Sequence, residues 1–158
     1  LVLAVACRPE VLFLDDQTAG LDPLVRSEVL QGILEAVPAA GGAVVYASPL
    51  VSDIERVADR IAILDRGKVR VEASLEELKA RIRRAVAVFE EDAPDPAKAG
   101  IPGRIDARAE GRVLTVVADG ANGALEADLR GLGAKEVALE PLPLEEILVA
   151  YLREGARS

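Results

Sequence analysis

Apolar residues in this chain follow two rhythms. Residues 11–14 and 43–47 are unbroken apolar runs, each closed by polar or turn residues. Short runs of this kind read as strands buried on both faces. Between them Leu24, Val29, Leu30, Ile33, Leu34 and Val37 recur on one stripe. They predict a helix that opens at Pro23, takes Asp22 as its cap and runs to about Val37. Pro38 and the pair Gly41, Gly42 close it. Residues 1–8 read as the last turns of a helix stopped by Pro9. Residues 50–58 predict a short helix and 60–64 a third strand, with 65–67 as the turn into a strand over 68–72. Ser74 and Glu77 form a capping box that opens a helix from Leu75 to about Arg83.

Beyond Arg83 the composition shifts. Residues 84–89 alternate as a strand, and 90–103 are rich in Asp, Pro, Ala and Gly and read as a loop with room for one helical turn. Residues 104–109 and 112–118 flank Glu110 and Gly111 as a hairpin. A helix over 120–131, a strand over 135–140 and a final helix over 144–153 follow, the last with Leu144, Ile147, Leu148 and Tyr151 on one face. This order suits a small α+β domain. The expected organisation is therefore a first domain over 1–83 and a second over 84–158.

With 158 residues, 51% of them hydrophobic and only 3% aromatic, the core must be aliphatic. A net charge of −8 argues against a nucleic-acid partner, which needs a concentrated basic surface. The single cysteine, Cys7, has no internal disulfide partner, and its apolar neighbours predict a small buried core residue. A reducing cytoplasm suits one unpaired thiol. The chain has no histidine, which excludes imidazole bases and histidine metal sites. No apolar run approaches the roughly 18 residues needed to cross a bilayer, so membrane contact is expected to go through a partner.

The candidate chemistry gathers in one place. The apolar run 11–14 leads directly into Asp15 and Asp16, and a short loop closes on Asp22 before Pro23. In an open parallel sheet, ligands bind where strands end. Two acids there can hold hydrated magnesium and position a water. The bland alternatives are a solvated acid at a strand end for Asp15 and a helix cap for Asp22.

The segment VLFLDDQTAGLDP resembles the Walker B strand and D-loop of ABC transporter ATPases, whose usual form is an apolar strand, Asp-Glu-Pro-Thr, and a small-residue loop ending in Leu-Asp-Pro. A second block, AVVYASPLVSDIERVADRIAILDRGKV, is similar to the family's next strand, switch loop, helix, Asp-Arg-hydrophobic strand and Arg-Gly-Lys turn. The likeness covers residues 1 to about 83. Residues 84–158 resemble the small accessory domain that follows many ATPases of ABC-2 type exporters. The resemblance implies an α/β fold: the C-terminal part of a P-loop NTPase parallel sheet with flanking helices, followed by a small α+β accessory domain.

Each site residue takes its implied role from this likeness. Asp15 would bind magnesium through water. Asp16 stands at the family's usual catalytic glutamate, with a stem one methylene shorter. Gln17, beside the nucleotide, replaces a proline. Asp22 is the D-loop aspartate that reaches the opposite site in a dimer. Pro49 stands where a switch histidine normally meets the γ-phosphate, and it offers neither ring donor nor backbone N–H. No GxxxxGK[ST] phosphate loop and no Ser-Gly-Gly signature occur in these residues. The chain is therefore read as the C-terminal part of a longer polypeptide or the product of a truncated gene. Mg2+ and ATP belong to the full-length parent, and none is expected to bind this chain alone. The implied partners are a membrane-spanning permease and a second ATPase subunit, identical or different, at the inner face of the cell membrane. The implied function is the ATP-binding subunit of an exporter, and its rivals are a regulatory or scaffolding remnant and a degenerate half of a mixed dimer.

Other residues read as structural. Asp59 and Arg60 suggest an ion pair or cap. Arg81, Arg83 and Arg84 suggest a solvated helix end, or a docking cluster for an acidic surface. Glu90, Glu91, Asp92 and Asp95 suggest a wet loop.

Overall fold

The computed structural model describes residues 2–16, 20–39, 41–120 and 123–157. The chain is mixed α/β and forms two compact units, Leu1–Ala58 and Asp59–Ser158.

The first unit contains α1 (Val2–Ala6), β1 (Val11–Asp15), α2 (Pro23–Ala39), β2 (Ala43–Ala47) and α3 (Val51–Val57). β1 and β2 pair in parallel, Val11 opposite Ala43 through Asp15 opposite Ala47. Parallel neighbours need a crossover, and α2 supplies it. Leu12 and Leu14 on β1 pack with Ile33 and Val37 on α2, and Val5, Val29, Val44 and Tyr46 border them. Gly42 lets the chain turn tightly into β2, because a Cβ there would lie 2.6 Å from the Pro9 carbonyl oxygen and 2.8 Å from Val37 Cγ1.

Three expectations are corrected here. The two strands are buried on one face only. β1 alternates exposed and buried positions, with Phe13 75% exposed, and β2 has no buried residue. α2 covers one face, and among the described residues of this unit no element covers the other. On α2 the stripe is buried at Leu30, Ile33 and Val37, whereas Leu24 in the first turn is exposed. Cys7 is exposed, not core. Val5 is the residue that turns toward the core, and two residues further on a helical path point nearly the opposite way.

The second unit opens with a hairpin, β3 (Arg60–Asp65) and β4 (Lys68–Ser74). Its two-residue turn places Arg66 and Gly67 at φ 49° and 74°, the left-handed pair that matches strand twist. α4 (Leu75–Arg81) begins with the predicted capping box: the Ser74 hydroxyl accepts from the Glu77 N–H at 3.1 Å, and the Glu77 carboxylate accepts from the Ser74 N–H at 3.2 Å. β5 (Ile82–Val88), β6 (Arg104–Glu110), β7 (Val113–Asp119) and β8 (Glu136–Pro141) form an antiparallel sheet in the order β6-β7-β5-β8. α5 (Ala124–Gly131) buries Leu125 and Leu129 against Ala85, Ala87, Leu114 and Val116 on one face. α6 (Leu144–Arg157) buries Leu144, Ile147, Ala150 and Tyr151.

The arginines disperse. Arg81 pairs with Asp119 at 3.0 Å, Arg83 donates to the Lys79 carbonyl at 3.1 Å, and Arg84 pairs with Glu140 and Glu146. Strand β5 starts at Ile82, so Arg83 and Arg84 project to opposite faces of the sheet. The three therefore do not form one cluster: Arg81 ends α4 with its side chain 41% exposed, and Arg83 and Arg84 belong to β5. Since Ala85 faces α5, its neighbour Arg84 reaches α6 through Glu146 on the other face. Asp106 likewise reaches Arg153 of α6, at 3.5 Å. Arg60 pairs with Glu72 across the hairpin at 3.2 Å, while Asp59 accepts the Leu75 N–H through its carbonyl. By packing, the hairpin and α4 therefore join the second unit. The division at residue 83 concerns sequence likeness and stays with the proposal below.

Candidate functional site

The parallel pairing of β1 and β2 sets the geometry. Both strands end at the same sheet edge, and Asp15 lies opposite Ala47 at the last paired position. The next N–H, that of Asp16, donates to the Ala47 carbonyl at 2.9 Å. Asp16 has φ 48°, a left-handed conformation that aspartate tolerates better than most residues. The backbone thus leaves its extended path at Asp16 itself. Beside it, β2 runs out into Ser48 and Pro49. Asp15, Asp16 and the segment beginning at Ser48 are consequently neighbours at the carboxyl edge. Asp15, Asp16 and Pro49 are exposed.

Asp15 stands on the same side of β1 as Val11 and Phe13, the side α2 leaves bare. Gln17 lies outside the described residues. The chain returns at Gly20, whose φ of 78° suits a residue without a side chain. Asp22 then caps α2: its Oδ1 accepts the Leu24 N–H at 2.9 Å, and its carbonyl accepts the Arg26 N–H at 2.9 Å. Pro23 follows at the first helical position, where a missing N–H does no harm. On the other strand, Ser48 Oγ accepts the Leu50 N–H at 3.1 Å. This turn around Pro49 leads into α3.

The acids' carboxylate oxygens are hard donors of the kind magnesium prefers. Among the described residues no three acids, histidines or cysteines come together to enclose a metal. The donor set fits magnesium held largely by water and phosphate oxygens with one or two carboxylates, and it does not fit an all-protein cage.

Two further side chains escaped the sequence reading. Arg26 Nη2 donates to the Leu21 carbonyl at 3.1 Å, and its Nη1 lies 3.7 Å from Asp53 Oδ2 on α3. Both side chains are more than four-fifths buried, at 18% and 14% exposure. A second tie joins the same helices, Arg56 Nη2 donating to Ser27 Oγ at 2.9 Å. The available signal was position: Arg26 sits one turn inside an apolar helix, four residues after its cap.

No helix among the described residues is long and apolar enough to cross a membrane. No protein-family profile matches the chain. Among curated proteins, the chain is 39% identical over 80 residues to the daunorubicin resistance ATP-binding protein DrrA3 of Streptomyces coeruleorubidus, covering 51% of this chain and 25% of that protein. It is 39% identical over 67 residues to the energy-coupling factor transporter ATP-binding protein EcfA2 of Caldanaerobacter subterraneus subsp. tengcongensis, covering 42% and 23%. It is 33% identical over 92 residues to the ABC transporter ATP-binding protein YtrB of Bacillus subtilis, covering 58% and 32%. The chain spans about a quarter of the length of the curated relatives it matches. Roughly half of this chain is therefore similar to part of the ATP-binding protein of an ABC transporter.

Proposed function

We propose that residues 1–83 are part of the ATP-binding subunit of an ABC-type membrane exporter, and that residues 84–158 are its accessory domain. On this reading β1 and β2 belong to a P-loop NTPase sheet. The observation that carries it is the shared edge, where Asp15, Asp16 and the start of the Ser48–Pro49 turn leave two parallel strands side by side.

Asp15 is assigned to hold, through water, the magnesium ion that would accompany ATP. When bound, that ion neutralises phosphate charge. Asp16 is assigned to accept a proton from the attacking water. Its stem is one methylene shorter than the family's glutamate, and a misplacement of about 1 Å can cost on the order of 100-fold in rate. Pro49 brings no donor to the transferring phosphate. Asp22, while capping α2, is assigned to face a second ATPase subunit, and Gln17 to border the nucleotide. A membrane-spanning permease is the partner that would place the subunit on the cytoplasmic face. The relatives named above for ATP binding and transport support this assignment; the match to a drug-resistance protein favours an exporter.

The short Asp16 and the donorless Pro49 favour a second reading, a non-catalytic regulatory or scaffolding module. One experiment separates the two. Hydrolysis of ATP is measured on the polypeptide encoded by the whole reading frame that contains these residues, with and without Mg2+. Mg2+-dependent hydrolysis that Asp15→Asn abolishes supports the ATPase. Hydrolysis indifferent to Asp15→Asn refutes its site, and no hydrolysis supports the non-catalytic module.

A further inference from the structure

The loop that carries Asp22 and the turn that carries Pro49 are far apart in sequence, yet a continuous set of contacts joins them. Ser48 Oγ accepts the Leu50 N–H at 3.1 Å. The Leu50 carbonyl accepts the Asp53 N–H at 3.1 Å. The Asp53 carboxylate faces the Arg26 guanidinium at 3.7 Å. That guanidinium donates to the Leu21 carbonyl at 3.1 Å, one residue before Asp22. Arg26 touches Leu21 on one side and Asp53 on the other, because a guanidinium presents several donors in a rigid fork.

The pairing is also incomplete. Asp53 Oδ2 is buried without a hydrogen-bond partner, and the Arg26 atom that faces it, Nη1, stands 3.7 Å away. Buried polar atoms are nearly always satisfied, so an unmade bond between two facing, opposite charges marks a contact that can close. At 3.7 Å the pair is about 1 Å longer than a charge-assisted hydrogen bond. A small shift of α3 toward α2 would shorten it, and Arg26 would transmit that shift to the Leu21 carbonyl.

We infer that Arg26 is a positioning residue that makes the Asp22 loop and the Ser48–Pro49 turn respond as one unit, with Asp53 as its counterpart on α3. Its functional meaning rests on the reading above, since there the Ser48–Pro49 turn faces the subunit's own nucleotide and the Asp22 loop faces a second subunit. The coupling itself is a property of the described geometry and is measured without nucleotide.

The test is amide hydrogen exchange on the 158-residue chain. The Leu24 N–H, bonded to Asp22 Oδ1, reports the loop, and the Asp53 and Ile54 amides report α3. Asp53→Asn is expected to speed exchange at Leu24 by about tenfold, although Asp53 does not touch that loop. In an Arg26→Met background, Asp53→Asn should add nothing at Leu24. Arg26→Lys keeps the charge and loses the fork, and it should fail to restore the coupling. Protection of the β1–β2 amides is the control for folding. If Arg26→Met unfolds the unit, the Asp53→Asn single variant and its Arg26→Lys combination still decide. An unchanged Leu24 amide in Asp53→Asn, or effects that multiply independently in the double variant, overturns the inference. Failure of Mg2+-dependent hydrolysis overturns the ATPase reading and leaves the coupling standing.

Discussion

The N–H of Asp16 donates to the carbonyl of Ala47 at 2.9 Å, one step past the last paired residues of β1 and β2. That bond extends the parallel ladder by one rung and then releases the chain into a left-handed turn. It holds the acid pair against the exit of β2, so a strand end and a loop thirty residues away share one edge. The proposed site exists only because the two strands run the same way.

Asp22 has a structural duty that can be separated from any duty toward a nucleotide. Asp22→Ala removes the acceptor of the Leu24 N–H and should lower stability of the first unit by about 0.5–2 kcal/mol. Asp22→Asn keeps an oxygen in the same place and should cost much less. Urea unfolding followed by circular dichroism checks both. Equal losses for Ala and Asn would refute the cap as the source of stability.

Phe13 is 75% exposed beside Val11 and Val45, which are 47% and 49% exposed on the same sheet face. Apolar faces of this kind promote association. Phe13→Thr keeps strand propensity and removes the ring. Self-association measured by sedimentation velocity should fall, while unfolding free energy should stay within about 0.5 kcal/mol. A large loss of stability would show that the ring is doing packing work instead.

Gly103 is required for two reasons at once. Its φ is +64°, and a Cβ there would lie 2.2 Å from the Asp119 carbonyl oxygen. Its own carbonyl accepts the Asp119 N–H at 2.8 Å, so the backbone has no freedom to withdraw. Gly103→Ala should destabilise the second unit by about 1–3 kcal/mol. Gly111→Ala, at φ +55° in open space, should cost about 1 kcal/mol from the backbone conformation alone. Thermal melts of the two variants give the comparison.

Glu77 links stability to pH. Hydrogen bonds from the Ser74 side chain and backbone hold its carboxyl below the usual glutamate range. A carboxyl whose folded value is depressed stabilises the fold above its unfolded pKa, and that contribution is lost as pH falls through the folded value. The group is fully exposed, so solvent screens the effect and it should be small. A carbon-detected NMR titration should place the Glu77 midpoint below the usual glutamate value, and Ser74→Ala should raise it part of the way, because the backbone N–H of residue 74 still donates. An unmoved midpoint in Ser74→Ala would show another cause.

Much of the local structure was legible because its causes are local. The Ser74–Glu77 box, the Asp22 cap before Pro23 and the Asp65–Gly67 turn each depend on residues within four positions of one another. The apolar rhythm of α6 named a face whose members Leu144, Ile147 and Tyr151 are buried. The run at 11–14 identified a strand and the acids at its end. Burial was less legible, because it depends on what covers an element. An unbroken apolar run is compatible with one covered face or two, and here α2 covers one, leaving Phe13 outside. Cys7 was misread for the same reason, since apolar neighbours in sequence do not fix which side of a short helix meets the core.

By itself, then, the sequence determined which elements follow one another along the chain, which acids end β1, and the likeness to ABC transporter ATPases, since each is written in the identity and spacing of nearby residues. Boundaries such as the start of β5 at Ile82 and of α5 at Ala124 fell two to four residues from the expected places. Tertiary structure alone decided the partners: that Asp16 meets Ala47, that Arg26 spans Leu21 and Asp53, and that Arg81, Arg83 and Arg84 part to separate neighbours. Those contacts join residues distant along the chain, and only the pairing of strands and the packing of helices brings them within reach.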